Sequence, residues 1–281
     1  IPLNVSRSYL QADGAVKKIS NYITRKVADK LNSLFKKDRK GFEEKWNDIK
    51  IIIEYGMLSE DKFFEKSDSF SIYPDTNNNF YTFDELIKNI EKSQTDKDGK
   101  TIILYASNID EQDSYIKAAE SKGYKVLLLD SPIVPHLIQK LESKKENISF
   151  ARVDSNSIDN LIKKEDNIIS KLNDKEKDKL KNYIEAVIPK EKYTIQLEAL
   201  DSKELPFIIT QPEFMRRMKD MQQSGGNNMF GSMPEIHNVI INVNNDLVNK
   251  NFNSKSKVKR ERLIKQSLDL ARLSQNLLKG E

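Results

Sequence analysis

Residues 101–130 read TIILYASNIDEQDSYIKAAESKGYKVLLLD, and this stretch decides the class of fold. The runs TIILYAS and YKVLLLD are largely apolar, which is typical of strands buried on both faces of a parallel sheet. Between them, DEQDSYIKAAESKG predicts a helix that Gly123 ends. The stretch therefore predicts a β-α-β unit with a right-handed crossover.

The next residues repeat the pattern. SPIVPHLIQKLESK, residues 131–144, predicts a second helix with Ser131 as its N-cap and Pro132 in its first turn, and ISFARVD predicts a third strand. Residues 100–154 are thus predicted to form a small three-stranded parallel βαβαβ subdomain. The turn ASNID after the first strand lacks glycine, and no glycine-rich phosphate motif occurs elsewhere, which argues against a nucleotide site at this sheet.

The chain before this subdomain is predicted to be helical between residues 15 and 57. In the first part of that range, apolar residues recur three or four positions apart, which is the pattern of an amphipathic helix. A second helical stretch, GFEEKWNDIKIIIEYGM, follows within a few residues.

The chain after the subdomain is predicted to be α+β. A polar and charged stretch at residues 155–175 marks a domain boundary. Beyond it come a helix that ends at Pro189, three strands in KYTIQLEAL, FIITQ and HNVIINV, and a long final helix. We therefore predict a mixed α/β chain of two domains, residues 1–160 and 161–281.

Composition excludes several classes of protein. The chain has no cysteine and two histidines, so a disulfide framework is excluded and a metal site is not expected. The lack of cysteine favours a reducing, cytoplasmic location. There is no apolar run of transmembrane length and no G-x-S-x-G motif, and the residues by themselves form no complete enzyme site.

Positive charge is concentrated in two segments of a chain whose net charge is +4. Residues 17–50 carry 11 basic and 5 acidic side chains, and residues 250–281 carry 9 basic and 3 acidic ones. The simplest interpretation is solvated helix faces. The alternatives are a surface for an acidic partner or for nucleic acid, although no aromatic residues alternate with the basic ones as a stacking platform requires.

The opening segment, IPLNVSRSYLQ, is the first of three that stand out. Ser6 is a candidate N-cap, which places Arg7 in the first turn of a short helix and Gln11 on the same face. A helix N-terminus beside a guanidinium group is an anion receptor. The plainer interpretation is an ordinary surface arginine.

The second segment is rich in methionine, because five of the six methionines lie between residues 215 and 233. PEFMRRMKDMQQ predicts an amphipathic helix, and a glycine-containing loop with further apolar residues follows it. Methionine surfaces repack to fit varied apolar partners, so we predict a protein-binding surface. Its residues are Phe214, Met215, Met218, Met221, Met229, Phe230 and Met233. The alternatives are a core helix followed by a linker, and a helix that lies on a membrane.

The third segment is the final helix, RERLIKQSLDLARLSQNLLKG, whose apolar residues cover more than one face. Such a helix is either covered entirely by its own domain or paired with a second surface. The residues predicted to form that second contact are Leu263, Ile264, Leu268, Leu270, Leu273 and Leu277.

Several of these stretches resemble the ninety-kilodalton heat-shock chaperone family in its bacterial form, HtpG. IPLNVSRSYLQ is similar to the family's LPLN-[ILV]-SR-x-x-LQ segment, and the resemblance continues through KWNDIKIIIEYGMLSEDKFFEK, YTFDEL, KTIILYAS and KGYKVLLLDSPI. It weakens after Ile133, where the family has an acidic pair and this chain has VPHLIQKL. It resumes at FMRRMKDMQQ, VIINVNNDLV and LARLSQNLLKGE.

The resemblance implies that residues 1–160 are the latter part of the middle domain and residues 161–281 the carboxy-terminal dimerisation and client-contact domain. In the family, an upstream domain binds ATP and Mg²⁺, and Arg7 and Gln11 match the middle-domain residues that contact the γ-phosphate. The resemblance thus implies no cofactor and no enzymatic activity for this segment alone, and an ATPase for its full-length parent. It also implies unfolded clients and a homodimer through the final helix, with no membrane partner.

We therefore expect a chaperone fragment that binds and remodels non-native proteins within an ATP-driven homodimer. The alternative is a non-chaperone scaffold or a nucleic-acid-binding module that uses the two basic segments.

Overall fold

A computed structural model describes most of the chain: residues 5–6, 9–10, 14–163, 168–212, 215, 217 and 236–278. By its internal contacts the chain divides into two compact units. The first comprises Ile1–Pro74 and Asn79–Ile87, and the second comprises Asp75–Asn78 and Lys88–Glu281.

The first unit is mainly helical. Two short antiparallel strands come first, with Val5 opposite Leu10. Four helices and an antiparallel hairpin follow, and a fifth helix begins in this unit and continues into the second. The elements are β1 (Val5–Ser6), β2 (Tyr9–Leu10), α1 (Gly14–Lys37), α2 (Arg39–Glu44), α3 (Trp46–Ser59), α4 (Asp61–Ser67), β3 (Ile72–Pro74), β4 (Phe80–Thr82) and α5 (Phe83–Gln94). The helices predicted over residues 15–57 are confirmed, with breaks at Asp38 and Lys45.

Within the first unit, Arg39 of α2 forms an ion pair with Glu85 of α5 and a hydrogen bond with Phe80 of β4. The guanidinium of Arg39 donates to both carboxylate oxygens of Glu85, at 2.6 and 2.8 Å, and to the carbonyl of Phe80 at 3.0 Å. Arg39 and the backbone N–H of Thr82 both donate to Glu85, and they lower the pKa of this carboxyl to about 2.

The second unit begins with the predicted βαβαβ subdomain. Its elements are β5 (Thr101–Ala106), α6 (Ile109–Ser121), β6 (Val126–Leu128), α7 (Val134–Lys144) and β7 (Ile148–Arg152). The strands are parallel in the order β6-β5-β7, which confirms the prediction. Gly123 has a φ of +74° and ends α6 as expected, because its N–H and that of Tyr124 donate to carbonyls of the last turn.

The predicted start of α7 is wrong. The helix begins at Val134 with Ile133 as its N-cap, and Pro135 rather than Pro132 lies in its first turn. The N–H of Val134 donates to the carbonyl of Ser131 at 3.1 Å, so residues 131–134 form a turn that precedes the helix. Proline favours the second position of such a turn as well as the first turn of a helix, and the sequence does not distinguish the two.

The rest of the second unit contains a mixed three-stranded sheet and its helices. The elements are α8 (Ile158–Leu161), α9 (Asp174–Glu185), β8 (Tyr193–Glu198), β9 (Phe207–Thr210), β10 (His237–Asn242), α10 (Asp246–Phe252) and α11 (Lys257–Ser274). The central strand β10 is parallel to β8 and antiparallel to β9. The three predicted strands and the predicted helices on either side of them are thereby confirmed.

One hydrophobic cluster draws residues from both sheets of the second unit. Leu200, Ile208 and Ile240, from the later sheet and its loop, pack in the same buried cluster as Leu104 of β5 and Ile158. The boundary predicted near residue 160 therefore lies inside one compact unit. The assignment of residues 1–160 and 161–281 to separate domains remains a prediction.

Candidate functional site

The opening segment is extended where it is described. Val5–Ser6 and Tyr9–Leu10 pair as antiparallel strands, so the short helix predicted to start at Ser6 is wrong. The hydrogen bonds between these strands replace those that a first helical turn would make. Arg7 and Gln11 lie outside the described residues, and their contact with a γ-phosphate stays a prediction.

The methionine-rich segment begins just after β9. Met215 and Arg217 have helical backbone conformation, and both side chains are half-buried. The other predicted binding residues lie outside the described part of the chain, so their role stays a prediction. These are Phe214, Met218, Met221, Met229, Phe230 and Met233.

Arg217 joins the start of this segment to β7, an edge strand of the parallel β6-β5-β7 sheet. Its guanidinium donates to the two carboxylate oxygens of Glu142 at 2.9 and 3.3 Å and to the carbonyl of Phe150 at 2.8 Å. Glu142 in turn accepts from the N–H of Phe150 at 2.7 Å. Because β7 is an edge strand, the two side chains satisfy backbone groups that another chain could otherwise pair with.

The final helix, α11, has two apolar faces with different surroundings. Ile264, Leu268 and Ala271 are buried in the core of the second unit. Leu270 and Leu273 are 62% and 60% exposed, and we call them the leucine pair.

This burial corrects part of the predicted dimer contact. Ile264 and Leu268 pack inside their own unit, so they are not available to a second chain. Leu277 also packs against that core, and Leu263 is half-buried. Because apolar residues occur on more than one face of this helix, its sequence does not indicate which face packs against its own sheet. The leucine pair is the exposed part of the predicted interface.

The C-terminal end of α11 is held against β9 by buried polar groups that the sequence analysis missed. Gln275 accepts a hydrogen bond from the N–H of Ile209 at 2.9 Å through its side-chain oxygen. The Tyr115 hydroxyl of α6 lies 3.0 Å from the same oxygen and also reaches the carbonyl of Ile209. Burial raises the pKa of Tyr115, so its hydroxyl stays protonated and can donate. No local sequence signal links positions 115, 209 and 275.

Neither a metal centre nor a membrane span occurs in the described part of the chain. Within that part, no three histidine, aspartate or glutamate side chains converge as metal ligands would. No helix there is long and apolar enough to cross a bilayer.

Comparison with known proteins decides the family. The family model described as "Hsp90 protein" matches residues 1–274. The chain belongs to the Hsp90 family. This confirms the resemblance drawn from the opening segment and the later motifs.

Bacterial Hsp90 relatives match most of this chain. Chaperone protein HtpG of Bacteroides thetaiotaomicron is 48% identical over 252 residues, which are 88% of this chain and 37% of the relative. Chaperone protein HtpG of Porphyromonas gingivalis is 46% identical over 254 residues, which are 89% of this chain and 37% of the relative. The chain therefore spans a little over a third of the length of these relatives.

Proposed function

We propose that this chain is the middle-to-carboxy-terminal part of an Hsp90 chaperone that binds and remodels non-native proteins within an ATP-driven homodimer. The observation that carries the proposal is the family match over residues 1–274, together with relatives that are named chaperones. The cysteine-free composition supports a cytoplasmic location.

The same family match supports a proposal for how ATP hydrolysis is divided in the parent protein. ATP and Mg²⁺ would bind to a region outside this chain, and Arg7 and Gln11 would contact the γ-phosphate from this one. The segment alone would therefore not hydrolyse ATP. Measurable ATP turnover by the purified chain would contradict this division.

The methionine-rich segment is proposed to bind clients. Met215 is half-buried rather than enclosed in the core, and Arg217 beside it is fixed to Glu142 and Phe150. A fixed start followed by adaptable methionine side chains is suited to apolar surfaces that differ from client to client.

The test measures how well the chain suppresses the aggregation of a heat-denatured protein, followed by light scattering. Replacing Met215 and Met218 by serine should weaken suppression and leave the melting temperature nearly unchanged, because a methionine contributes about 1.5–3 kcal/mol only where it is fully buried. Met57 is fully buried, so Met57→Ser is the matched control that should lower the melting temperature. A large drop in melting temperature for the double variant, with suppression intact, would show that these methionines belong to the core.

The salt dependence of binding separates the chaperone function from the alternative, a nucleic-acid-binding module. Apolar client binding should persist as salt concentration rises, whereas binding to nucleic acid through the basic segments should fall steeply. Salt-sensitive binding to an oligonucleotide, without suppression of aggregation, would favour the nucleic-acid-binding module.

A further inference from the structure

A groove lined by four basic side chains lies between α1 and α4 of the first unit, and we call it the basic groove. Lys18 and Arg25 line it from α1, and Lys62 and Lys66 line it from α4. Residues seven or four positions apart lie on one face of a helix, and α1 packs against α4, so the two rows of cations face the same space. The volume of the groove is about 450 Å³. This volume is within the range of about 300–1,000 Å³ that is usual for sites that bind small molecules.

Three of the four cations have no counterion. Lys66 forms an ion pair with Asp29, which lies on α1 outside the lining of the groove. Within the part of the chain that the structure describes, Lys18, Arg25 and Lys62 form no ion pair. Charges of one sign held close together repel each other, and an anion placed between them would remove that repulsion.

The groove is electropositive even when the nearby acids are counted. Glu65 is the acidic residue among the described lining residues, so four basic side chains leave a net charge of +3, and counting Asp29 leaves +2. The hydrogen bond from Lys66 lowers the pKa of Asp29, and the charges of Arg25 and Lys26 lower it further. The groove therefore favours an anion with more than one negative charge.

Two uncharged side chains in the groove can also donate hydrogen bonds to an anion. Asn21 and Thr24 are half-buried in the lining, and neither side chain makes a hydrogen bond within the described residues. An amide NH₂ group and a hydroxyl group are both donors to phosphate oxygens, as are the ammonium and guanidinium groups beside them. The donors thus come from the same faces as the unpaired charges.

The size and lining of the groove favour a compact anion over a polymer. Adjacent phosphate groups concentrate several charges in a few bonds and lose little conformational freedom on binding, whereas an acidic peptide must order one residue for each charge. A single strand of nucleic acid stacks successive bases on aromatic side chains, and Tyr22 is the one aromatic residue in the described lining.

We propose that the basic groove binds a small anion with at least two adjacent phosphate groups. Lys18, Arg25 and Lys62 contact its oxygens, and Asn21 and Thr24 donate hydrogen bonds to them. The site uses none of the residues proposed for γ-phosphate contact or for client binding, and it does not depend on the chaperone assignment.

Isothermal titration of the whole chain with inorganic tripolyphosphate, in magnesium-free buffer of low ionic strength, tests the site. The double variant Arg25→Gln, Lys62→Gln should bind about tenfold more weakly, because two exposed charge contacts are lost. The control Lys36→Gln, Lys37→Gln makes the same change in net charge at the exposed end of α1, outside the groove, and should keep the affinity within about twofold. Equal weakening of both variants, or an unchanged affinity of the first, would overturn the proposal.

Removal of the acidic lining residue gives a test in which binding should improve. Glu65→Gln keeps the shape of the side chain and removes its repulsion of the anion, so it should bind tripolyphosphate about threefold more tightly. The control Glu44→Gln, on exposed α2 outside the groove, should change the affinity less. A Glu65→Gln protein that retains its melting temperature and binds no more tightly than the unaltered chain would contradict the proposed site.

A series of anions identifies the class of ligand. Tripolyphosphate should bind more tightly than pyrophosphate, and pyrophosphate more tightly than orthophosphate, because more charge reaches the three unpaired cations. Equal affinity for orthophosphate and tripolyphosphate would mean that the groove holds an adventitious ion only, and the proposal would be wrong. Tighter binding of hexaglutamate than of tripolyphosphate, lost in the Arg25→Gln, Lys62→Gln variant, would assign the groove to an acidic peptide and would also overturn it.

Discussion

Substitution of Gln275 tests how the final helix is fastened to the rest of the second unit. In Gln275→Leu the side chain keeps much of its volume but loses the oxygen that accepts from the N–H of Ile209 at 2.9 Å. That oxygen is also 3.0 Å from the Tyr115 hydroxyl, and Gln275 is only 3% exposed. Water therefore cannot easily replace the lost acceptor.

The expected loss follows from these contacts. A buried backbone N–H left without an acceptor costs about 1–3 kcal/mol, whereas the Tyr115 hydroxyl still has the carbonyl of Ile209 to donate to. We therefore expect Gln275→Leu to lower the free energy of unfolding by about 2 kcal/mol. Urea denaturation followed by circular dichroism should show a lower midpoint with an unchanged slope.

Tyr115→Phe separates the two hydrogen bonds. It keeps the buried ring and removes the hydroxyl, so by itself it should cost about 1 kcal/mol. The double variant should show coupling, because the Tyr115 hydroxyl and the N–H of Ile209 both contact the side-chain oxygen of Gln275. A Gln275→Leu protein with unchanged stability would refute the reasoning. It would mean that the end of α11 is held by apolar packing alone.

Three further predictions concern the interface, the parent ATPase and acid stability. Leu273→Glu should shift a sedimentation equilibrium toward monomer because it places an unpaired charge in an apolar contact, while exposed Lys265→Gln, which changes net charge by the same one unit, should not. In the full-length parent, Arg7→Ala should lower ATP turnover at least about tenfold, which corresponds to roughly 1.4 kcal/mol in the activation barrier. An unchanged turnover rate would mean that Arg7 has a structural role and does not contact the γ-phosphate. The folded pKa of Glu85 is about 2, below its ordinary value, so its stabilising contribution is present above that ordinary value and lost as pH falls toward 2. Glu85→Gln should therefore be less stable at neutral pH and lose less stability on acidification than the unaltered chain, as measured by melting temperature against pH.

The sequence by itself determined the elements of this protein and its family. The apolar strands of residues 101–154 alternate with helices, and this pattern predicted the parallel sheet because few folds accommodate strands buried on both faces. The three later strands and the helical first part were predicted by hydrophobic periodicity in the same way. The motifs that begin with IPLNVSRSYLQ identified the family, which the match over residues 1–274 confirmed.

Only the tertiary structure decided which side chains meet. The two apolar faces of α11 look alike in sequence, and packing against the second sheet buries Ile264 while leaving Leu273 exposed. Short-range signals also failed where one residue type suits two structures, as with Pro132 and with the opening strands. The contacts of Arg217 with Glu142, and of Gln275 with Ile209, join residues more than 60 positions apart. Local propensity does not encode such pairs, because their geometry exists only after the sheets and helices have packed.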